Sequence, residues 1–416
     1  MSPNRPKHRK FDLVIWGATG FTGRLVAEHL FKKFGADGEL AWAIAGRNAG
    51  RLAEVCMELT GDPKGLPVLI GDSTDAASLD RIAAQTRVIC ATAGPFALYG
   101  SEMVGACARH GTDYCDITGE VQWIRRMIDM YGDEAVASGA RIINCCGFDS
   151  LPSDLGCLYL QHEMQERHGT HCREIRFLLR KASGAFSGGT VASLMNLMQE
   201  ARADRDVRRL LANPYALNPD GEQSGPDGPD QRGPAFDKSL QSWTAPFVMA
   251  AINTRIVRRS NALLDYEYGE DFRYSEAVLC GRGIAGLAIA SATSAALGGL
   301  FVASAAAPTR ALLEKFFLPK PGEGPSATAR HRGFFDILLV GKPQNDAAPD
   351  LHAQVCGDRD PGYGATSRML GEAALCLAQD DIDAGGGFWT PASSMGFALI
   401  DRLERDAGVT FRIESG

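Results

Sequence analysis

The stretch WGATGFTG, residues 16–23, decides the fold. It sets Gly17, Gly20 and Gly23 three apart, after the apolar run FDLVI (11–15) and before RLVAEHLFKKF (24–34), whose apolar positions recur at three and four spacing. A strand, a glycine-spaced turn and a helix in that order bare main-chain amides at the positive end of the helix, where a diphosphate can sit. In that reading Gly17 permits the tight turn, Gly20 lets the phosphates approach and Gly23 lets helix and strand pack closely, with Ala18, Thr19, Phe21 and Thr22 completing the loop. Glycine turns also occur for structural reasons alone, so the strands and helices downstream have to decide between the two.

Five more apolar runs of strand length come after it: AWAIA (41–45), LPVLI (66–70), RVICA (87–91), DYCDI (113–117) and ARIIN (140–144), alternating with amphipathic helical stretches. That rhythm predicts an α/β fold, a Rossmann-type doubly wound parallel sheet, over residues 1–150. After Gly147 the pattern changes and a second domain begins, opening on a helix through SLPSDLGCLYLQHEM (150–164), where Ser150 can cap and Pro152 falls in the first turn. Further on, EIRFLLRKA (174–182), TRIVRRSNALL (254–264), FRYSEAVLC (272–280) and GFFDILLVG (333–341) read as strands, and VASLMNLMQEARADRDVRRLLA (191–212) as one long helix. The Pro-, Gly- and Asp-rich residues 213–237 read as a long loop, disordered or a lid. YGATSRMLGEAALCLAQ (363–379) is a clear amphipathic helix.

Composition excludes several classes. With 43 basic and 50 acidic residues the net charge is −7, so there is no basic footprint for nucleic acid; PNRPKHRK (3–10) reads as a small basic tail. Eleven cysteines without a CxxC pair argue for reduced thiols, and with no secretory leader before the first strand a cytoplasmic location is expected. His168, His171 and Cys172 lack a second ligand pair at suitable spacing, so no metal is expected. Residues 283–309 carry no charge. About 20 apolar residues suffice to span a bilayer, but alanine, glycine and serine dominate here. The segment reads as a buried or interface helix, as a membrane-surface segment, or as a span.

The end of the second strand selects the dinucleotide: an acid there holds a ribose diol, an arginine a 2′-phosphate. Arg47 stands there, with Arg51 one helical turn on, which favours NADPH over NADH; a solvated arginine at a helix start is the plainer alternative. Asp72 and Ser73 come just after the third strand, where they face the adenine or where Asp72 caps a helix. Ala93, Gly94 and Pro95 end the fourth strand, where the nicotinamide half passes. None of the nine tyrosines has a lysine four residues later, and no GxSxG, HExxH or Walker loop is present, so short-chain dehydrogenase, hydrolase and phosphoryl-transfer sites lack their residues.

The set WGATGFTGRLVAEHL, AIAGRN, ATAGPFALYG, YCDITGE, CCGFDSLPSDLG, SGGTVAS and GGFWTPASSMGFALIDRL resembles the saccharopine dehydrogenase-like oxidoreductases, and within them the trans-acting enoyl reductase branch. The resemblance implies a second α/β (α+β) domain over 151–360 that holds substrate and mediates a homodimer, and a carboxy-terminal segment, 361–416, returning to the first domain. It further implies reduction of double bonds on lipid or polyketide intermediates made by a partner synthase, with a membrane surface nearby. The same likeness leaves open an imine reductase of amino-acid metabolism. A non-catalytic nucleotide-binding scaffold on lipid is the alternative outside enzymes.

Conjugate reduction needs a hydride over the β-carbon, a donor for the enolate oxygen and a proton for the α-carbon. Tyr99 is the first candidate donor, or else packs at a helix start. Asp149 and Ser150 orient substrate or cofactor, or cap a helix. Asp116 and Glu120 are candidate acids or loop braces. Gly188, Gly189 and Thr190 offer backbone amides at a helix start. Cys145 and Cys146 read as apolar strand-end residues.

Overall fold

Because each early strand is apolar on both faces, helices must cover both sides, and a parallel sheet results. A computed structural model describes residues 9–184, 188–305 and 324–414. Strands β1 (Phe11–Trp16), β2 (Trp42–Gly46), β3 (Val68–Ile70), β4 (Thr86–Ala91), β5 (Asp113–Asp116) and β6 (Arg141–Ile143) run parallel in the order β3-β2-β1-β4-β5-β6. Between them lie α1 (Phe21–Phe34), α2 (Ala49–Thr60), α3 (Ala76–Ala84), the short α4 (Phe96–Tyr99), α5 (Ser101–His110) and α6 (Val121–Ser138). Leu13, Val14 and Ile15 in β1 are wholly buried. The strand order reverses between β1 and β4, so a crevice opens at their carboxyl ends.

The chain then continues through α7 (Leu151–His168), β7 (Cys172–Ser183), α8 (Gly188–Ala203), α9 (Arg205–Ala212), β8 (Ala235–Asp237), β9 (Ser242–Pro246), α10 (Ala250–Leu263), β10 (Arg273–Gly281) and α11 (Gly283–Ala305). It ends with α12 (Ala327–Arg332), β11 (Phe334–Pro343), β12 (Leu351–Gly357), α13 (Thr366–Gln379), β13 (Gly387–Trp389), α14 (Pro391–Ser394), α15 (Gly396–Arg402) and β14 (Val409–Ile413). A second seven-stranded sheet has the order β14-β12-β11-β7-β10-β9-β8, with β7 and β10 parallel and its other neighbours antiparallel. One apolar core runs from Leu13 and Ile15 of the first sheet through Leu155 of α7 to Leu339 and Val355 of the second.

Residues 361–414 serve both sheets. β13 adds to the first beside β6, and β14 adds to the second beside β12. The helix α13 lies against α1 through a buried carboxylate: Glu372 accepts from Lys33 Nζ at 2.9 Å and Arg402 Nη1 at 3.3 Å, and His29 Nε2 lies 2.8 Å away.

The structure departs from the sequence reading at four places. TRIVRRSNALL is not a strand but most of α10; every residue from Ala250 to Ala262 except Ala251 is buried, so no polar face marks the helical period. The expected long helix over 191–212 breaks at Asp204, whose carboxylate caps α9 by accepting from Asp206 N at 2.7 Å. The 213–237 loop is ordered and ends in β8. Three arginines of α10 hold it: Arg255 Nη1 donates to Asp230 at 2.9 Å, Arg258 Nε to Asp227 at 2.6 Å and Nη1 to Pro214 O at 3.0 Å, and Arg259 to Leu217 O and, at 2.7 Å, to Phe388 O. Finally, 283–305 of the uncharged segment is helical and largely exposed, with Ile284 87% accessible, while 306–309 lies outside the described residues.

The arginine clamp gives a direct prediction. Arg258→Met leaves Asp227 without its cation in a buried setting, a change expected to cost about 3–5 kcal/mol. A urea titration should show the lower midpoint, and limited proteolysis a new cut between residues 213 and 234. An unshifted midpoint with an intact loop would mean that the loop is held by other contacts.

Candidate cofactor and catalytic site

The glycine loop is shaped by three close approaches. Gly17 has φ +89°, a backbone state that L side chains avoid, and a Cβ there would meet Thr92 Oγ1 at 2.9 Å and Ala93 N at 3.0 Å. A Cβ on Gly23 would lie 2.4 Å from Gly17 O and 2.7 Å from Thr92 Oγ1. On Gly20, by contrast, it would meet a single atom, Gly17 O at 3.3 Å, a tight contact but the one atom within 4 Å, so the other sides of Gly20 are open. Thr92 Oγ1 donates to Trp16 O at 3.0 Å and Gly17 O at 3.2 Å, tying the loop to the end of β4. No side chain caps α1. Its first amides, those of Phe21 and Thr22, therefore remain for a ligand, as the first amides of a helix have no intrahelical partner. Ala18 is fully buried beneath the turn and Thr19 half-buried in it. An open cradle of amides over a glycine fits a diphosphate.

At the tip of β2, Asn48 caps α2 by accepting from Arg51 N at 3.0 Å. The side chains of Arg47 and Arg51 are exposed and have no hydrogen-bonded partner among the described residues. Beside them Asp72 accepts from Thr74 N at 2.9 Å and from Thr74 Oγ1 at 2.8 Å. Those bonds hold its carboxyl below the usual carboxylate range, with a further contribution from the Arg47 charge. Asp72 thus braces a turn, and Ser73 lies half-buried in that turn. The Arg47 influence on Asp72 shows that the tips of β2 and β3 share one electrostatic environment.

Past β4, Gly94 is exposed and Ala93 and Pro95 are half-buried. Glu120 accepts from Phe96 N at 2.7 Å, Ala97 N at 3.1 Å and Ser193 Oγ at 2.9 Å. Asp116 accepts from Tyr114 OH at 3.0 Å, Asn144 Nδ2 at 2.8 Å, Thr118 N at 3.1 Å and Cys145 N at 3.1 Å. Both acids are braces in this geometry. Burial raises Glu120, and raises Asp116 to about 6 in spite of those bonds. Tyr99 ends α4, 41% exposed, with no hydrogen-bonded partner among the described residues.

Cys145 lies just past β6 with φ 65°, a left-handed state uncommon for a non-glycine residue. Its amide is held by Asp116, and its Sγ donates to Thr118 O at 3.0 Å. Burial pushes the thiols of Cys145 and Cys146 well up, so neither is a nucleophile. Asp149 stands apart from these braces. It is half-buried, has no hydrogen-bonded partner among the described residues, and burial alone raises its carboxyl to about 6. Its neighbour Ser150 donates to Asn253 Oδ1 at 2.9 Å, Asn253 Nδ2 donates to Glu276 at 2.9 Å, and Tyr274 OH donates to Glu276 at 2.8 Å. Burial lifts Glu276 to about 7. Asn253 and Glu276 escaped sequence reasoning, since no local motif links Ser150 to an asparagine 103 residues away.

The loops after β1 to β6 therefore converge on one edge of the first sheet, and hydrogen bonds join Gly17 to Thr92, Glu120 to Phe96 and Asp116 to Cys145. No hydrogen bond joins Tyr99 to Asp149 among the described residues. Gly188, Gly189 and Thr190 form the first turn of α8, while the Thr190 side chain and Ser187 lie outside what the structure describes.

The parallel sheet and its glycine-spaced first turn put the chain among the Rossmann-type α/β proteins. A Mycobacterium tuberculosis protein that carries the trans-acting enoyl reductase name provisionally is 42% identical over 417 residues, covering 97% of each chain. A trans-acting enoyl reductase of Mycobacterium ulcerans is 38% identical over 408 residues, covering 95% of this chain and 96% of its own. Saccharopine dehydrogenase (L-Glu forming) from Saccharomyces cerevisiae matches in fold, with TM-score 0.52 at 11% identity over 97% of this chain and 99% of that one. No family model matches the chain. The chain belongs to the trans-acting enoyl reductase family, and it shares the fold of saccharopine dehydrogenase. Membership makes it an oxidoreductase and implies a nicotinamide cofactor.

Two glycine variants separate cradle from scaffold. Gly20→Ala should lower the urea midpoint less than Gly23→Ala, since its Cβ meets one carbonyl oxygen at 3.3 Å rather than 2.4 Å, yet weaken dinucleotide binding by about tenfold or more by filling the phosphate's place. Gly23→Ala should lower both midpoint and affinity. Equal behaviour of the two variants would contradict these roles.

Proposed function

We propose that this chain is an NADPH-dependent reductase of activated carbon–carbon double bonds on lipid or polyketide acyl intermediates. The observation that carries the reading is the amide cradle over Gly20 with the exposed Arg47 guanidinium at the tip of β2, which has no hydrogen-bonded partner among the described residues. A guanidinium fork suits a 2′-phosphate, and no acid stands there to hold a ribose diol. The relatives' printed name, trans-acting enoyl reductase, supports an enoyl substrate presented by a separate synthase.

In this reading reduced nicotinamide supplies hydride to the β-carbon. The chain does the rest. The Tyr99 phenol donates a hydrogen bond to the carbonyl oxygen as it takes up negative charge. Asp149, kept protonated to about pH 6 by its burial, delivers a proton to the α-carbon. Ser150, bonded to Asn253, fixes the backbone next to Asp149.

The test mixes purified protein and NADPH with enoyl thioesters and, separately, with a keto acid plus amine, following the loss of reduced-nicotinamide absorbance. Turnover with enoyl thioesters supports the reading; turnover only with keto acid plus amine replaces it with imine reduction. The acid-limb rate should fall as pH rises through about 6, because the protonated carboxyl is the active form. Asp149→Asn should lower kcat by about 10²- to 10⁴-fold and remove that limb. Arg47→Gln should raise KM for NADPH and leave NADH unchanged.

A second observation bears on where the substrate is met. The helix α11 has 23 residues without a charge, mean hydropathy 1.5 over Gly283–Leu300, and only 11% of that window buried. Such a surface is costly to leave in water. We propose that it meets an acyl-lipid surface. Sedimentation with phosphatidylcholine vesicles should capture the protein, and Ile284→Glu with Ile289→Glu should release it; failure of the parent protein to co-sediment would refute this.

A further inference from the structure

The first helical residue of the diphosphate loop is gripped from the second sheet's side of the molecule. Phe21, directly after Gly20, packs edge-on against Tyr363, with ring centroids 4.7 Å apart and planes at 72°. The Arg330 guanidinium carbon lies 5.3 Å from the centroid of the same ring. Gly324 closes this contact, since a Cβ there would come 2.4 Å from Phe21 Cε1. Arg330 is placed by its surroundings: Ser326 caps α12 through Ala329 N at 3.2 Å, Arg330 O accepts from Asp360 N at 3.0 Å, and Arg330 Nη1 donates to Pro325 O at 2.8 Å.

That guanidinium has no carboxylate partner among the described residues, and its other donors are unassigned. The charges around it are also positive. Arg359 touches His331 Nδ1, with Asp358 3.6 Å from its Nε, and burial together with the Arg368 charge keeps it below the usual arginine range. Arg368, half-buried in the first turns of α13, has no hydrogen-bonded partner among the described residues. A Cβ on Gly364 would touch Arg330 O at 3.3 Å and Arg359 Cβ at 3.3 Å, so the backbones of these two arginines meet at Gly364. The positive end of α1 is the next charge in line. Arg359 and Arg368 act on each other as like charges, and an anion placed beside Arg330 and the positive end of α1 would be favoured by both. Asp360, the other nearby acid, is occupied: its carboxylate accepts from the amides of Gly362, Tyr363 and Gly364.

We propose that Arg330 is a diphosphate-binding residue of the dinucleotide site, donated by the second half of the chain across the Phe21 ring. The inference rests on the reading of the glycine loop as a dinucleotide cradle and adds a residue that the loop itself does not contain. It also gives the cofactor a structural part. A diphosphate held by the amides of α1 on one side and by Arg330 on the other joins the two sheets through the ligand. An arginine suits this place because its planar fork offers two parallel donors to one phosphate while its flat face stays on the aromatic ring.

Equilibrium titrations test this without turnover. Dissociation constants of NADPH, NADH, ADP and adenosine are measured for the parent protein, Arg330→Gln, Arg330→Lys and Arg332→Gln, by fluorescence and calorimetry. Arg330→Gln should weaken NADPH, NADH and ADP alike by about ten- to a hundredfold, as for loss of a charge-assisted bond, and leave adenosine unchanged. Arg330→Lys, which keeps the charge without the fork, should fall between, and Arg332→Gln, an exposed change on the same helix, should match the parent protein. Thermal midpoints confirm that each variant is folded. If the parent protein binds no dinucleotide, the reading of the cradle fails. If it binds and Arg330→Gln binds equally well, or loses adenosine to the same degree, only the present inference falls.

Discussion

The site depends on one steric constraint, the contact of the backbone at Gly23 with the carbonyl of Gly17 and the hydroxyl of Thr92. There is no room for a methyl group at that point, with 2.4 Å to Gly17 O. Because α1 can come so near, its first turn lies directly over the end of β1, and the Thr92 hydroxyl can bond two successive carbonyls there. From that point the arrangement propagates along the sheet edge. Thr92 leads into the segment whose amides Glu120 holds, and Asp116, four residues before Glu120, fixes the backbone at Cys145. The edge is thus a chain of short backbone-to-side-chain bonds, each buried enough to be costly to break. What this rigid frame leaves unbonded is informative by contrast: Arg47, Arg51, Tyr99 and Asp149 are polar side chains along this edge that have no hydrogen-bonded partner among the described residues.

A second constraint is electrostatic. One helix, α10, buries three arginines in succession along its length, Arg255, Arg258 and Arg259. Desolvation of a guanidinium is expensive, and a lone buried ion pair gains little net stability. In α10, however, each arginine also satisfies a main-chain carbonyl, Arg255 that of Leu211 at the end of α9, and Arg258 and Arg259 those of Pro214 and Leu217 in the 213–237 loop, groups that would otherwise be buried without donors. Satisfaction of those carbonyls outweighs the charge pairing, most plainly at Arg259, which bonds two carbonyls and has no carboxylate bonded to it among the described residues. Burial shifts its equilibrium toward the neutral form, to about 10, which still leaves it charged near neutral pH. The polar interior therefore works as a fastening for irregular chain.

Much of this was legible in the residues, for physical reasons that also explain the failures. The six strands of the first sheet announce themselves because burial on both faces demands uninterrupted apolar runs, and the glycine spacing announces the turn. β13 and β14 leave no such mark: β13 has three residues and pairs with β6 across 246 positions, from Gly387 to Arg141. The run 254–264 misleads because arginines that bond carbonyls inside the protein look, in one dimension, like solvent-facing residues between β-branched ones. For Asp116 and Glu120 the residue types fitted catalysis and bracing equally, and only their bonded partners decide for bracing. Arg330 carried no signal at all, since its meaning lies in a ring more than 300 positions earlier.

The division of residues 361–413 between the two sheets bears on how the polypeptide is made. During synthesis the ribosome releases β1 to β6 long before α13 and β13 emerge, so the surface of α1 that receives Glu372 and the free edge of β6 stay uncovered until the chain has grown past Gly387, 246 positions beyond Arg141. Nascent chains with such unpaired edges and bare apolar faces associate readily. The nucleotide-binding half is therefore not an autonomous module that can mature early on its own. It has to be shielded until its own final stretch arrives, and it closes at nearly the same moment as its neighbour.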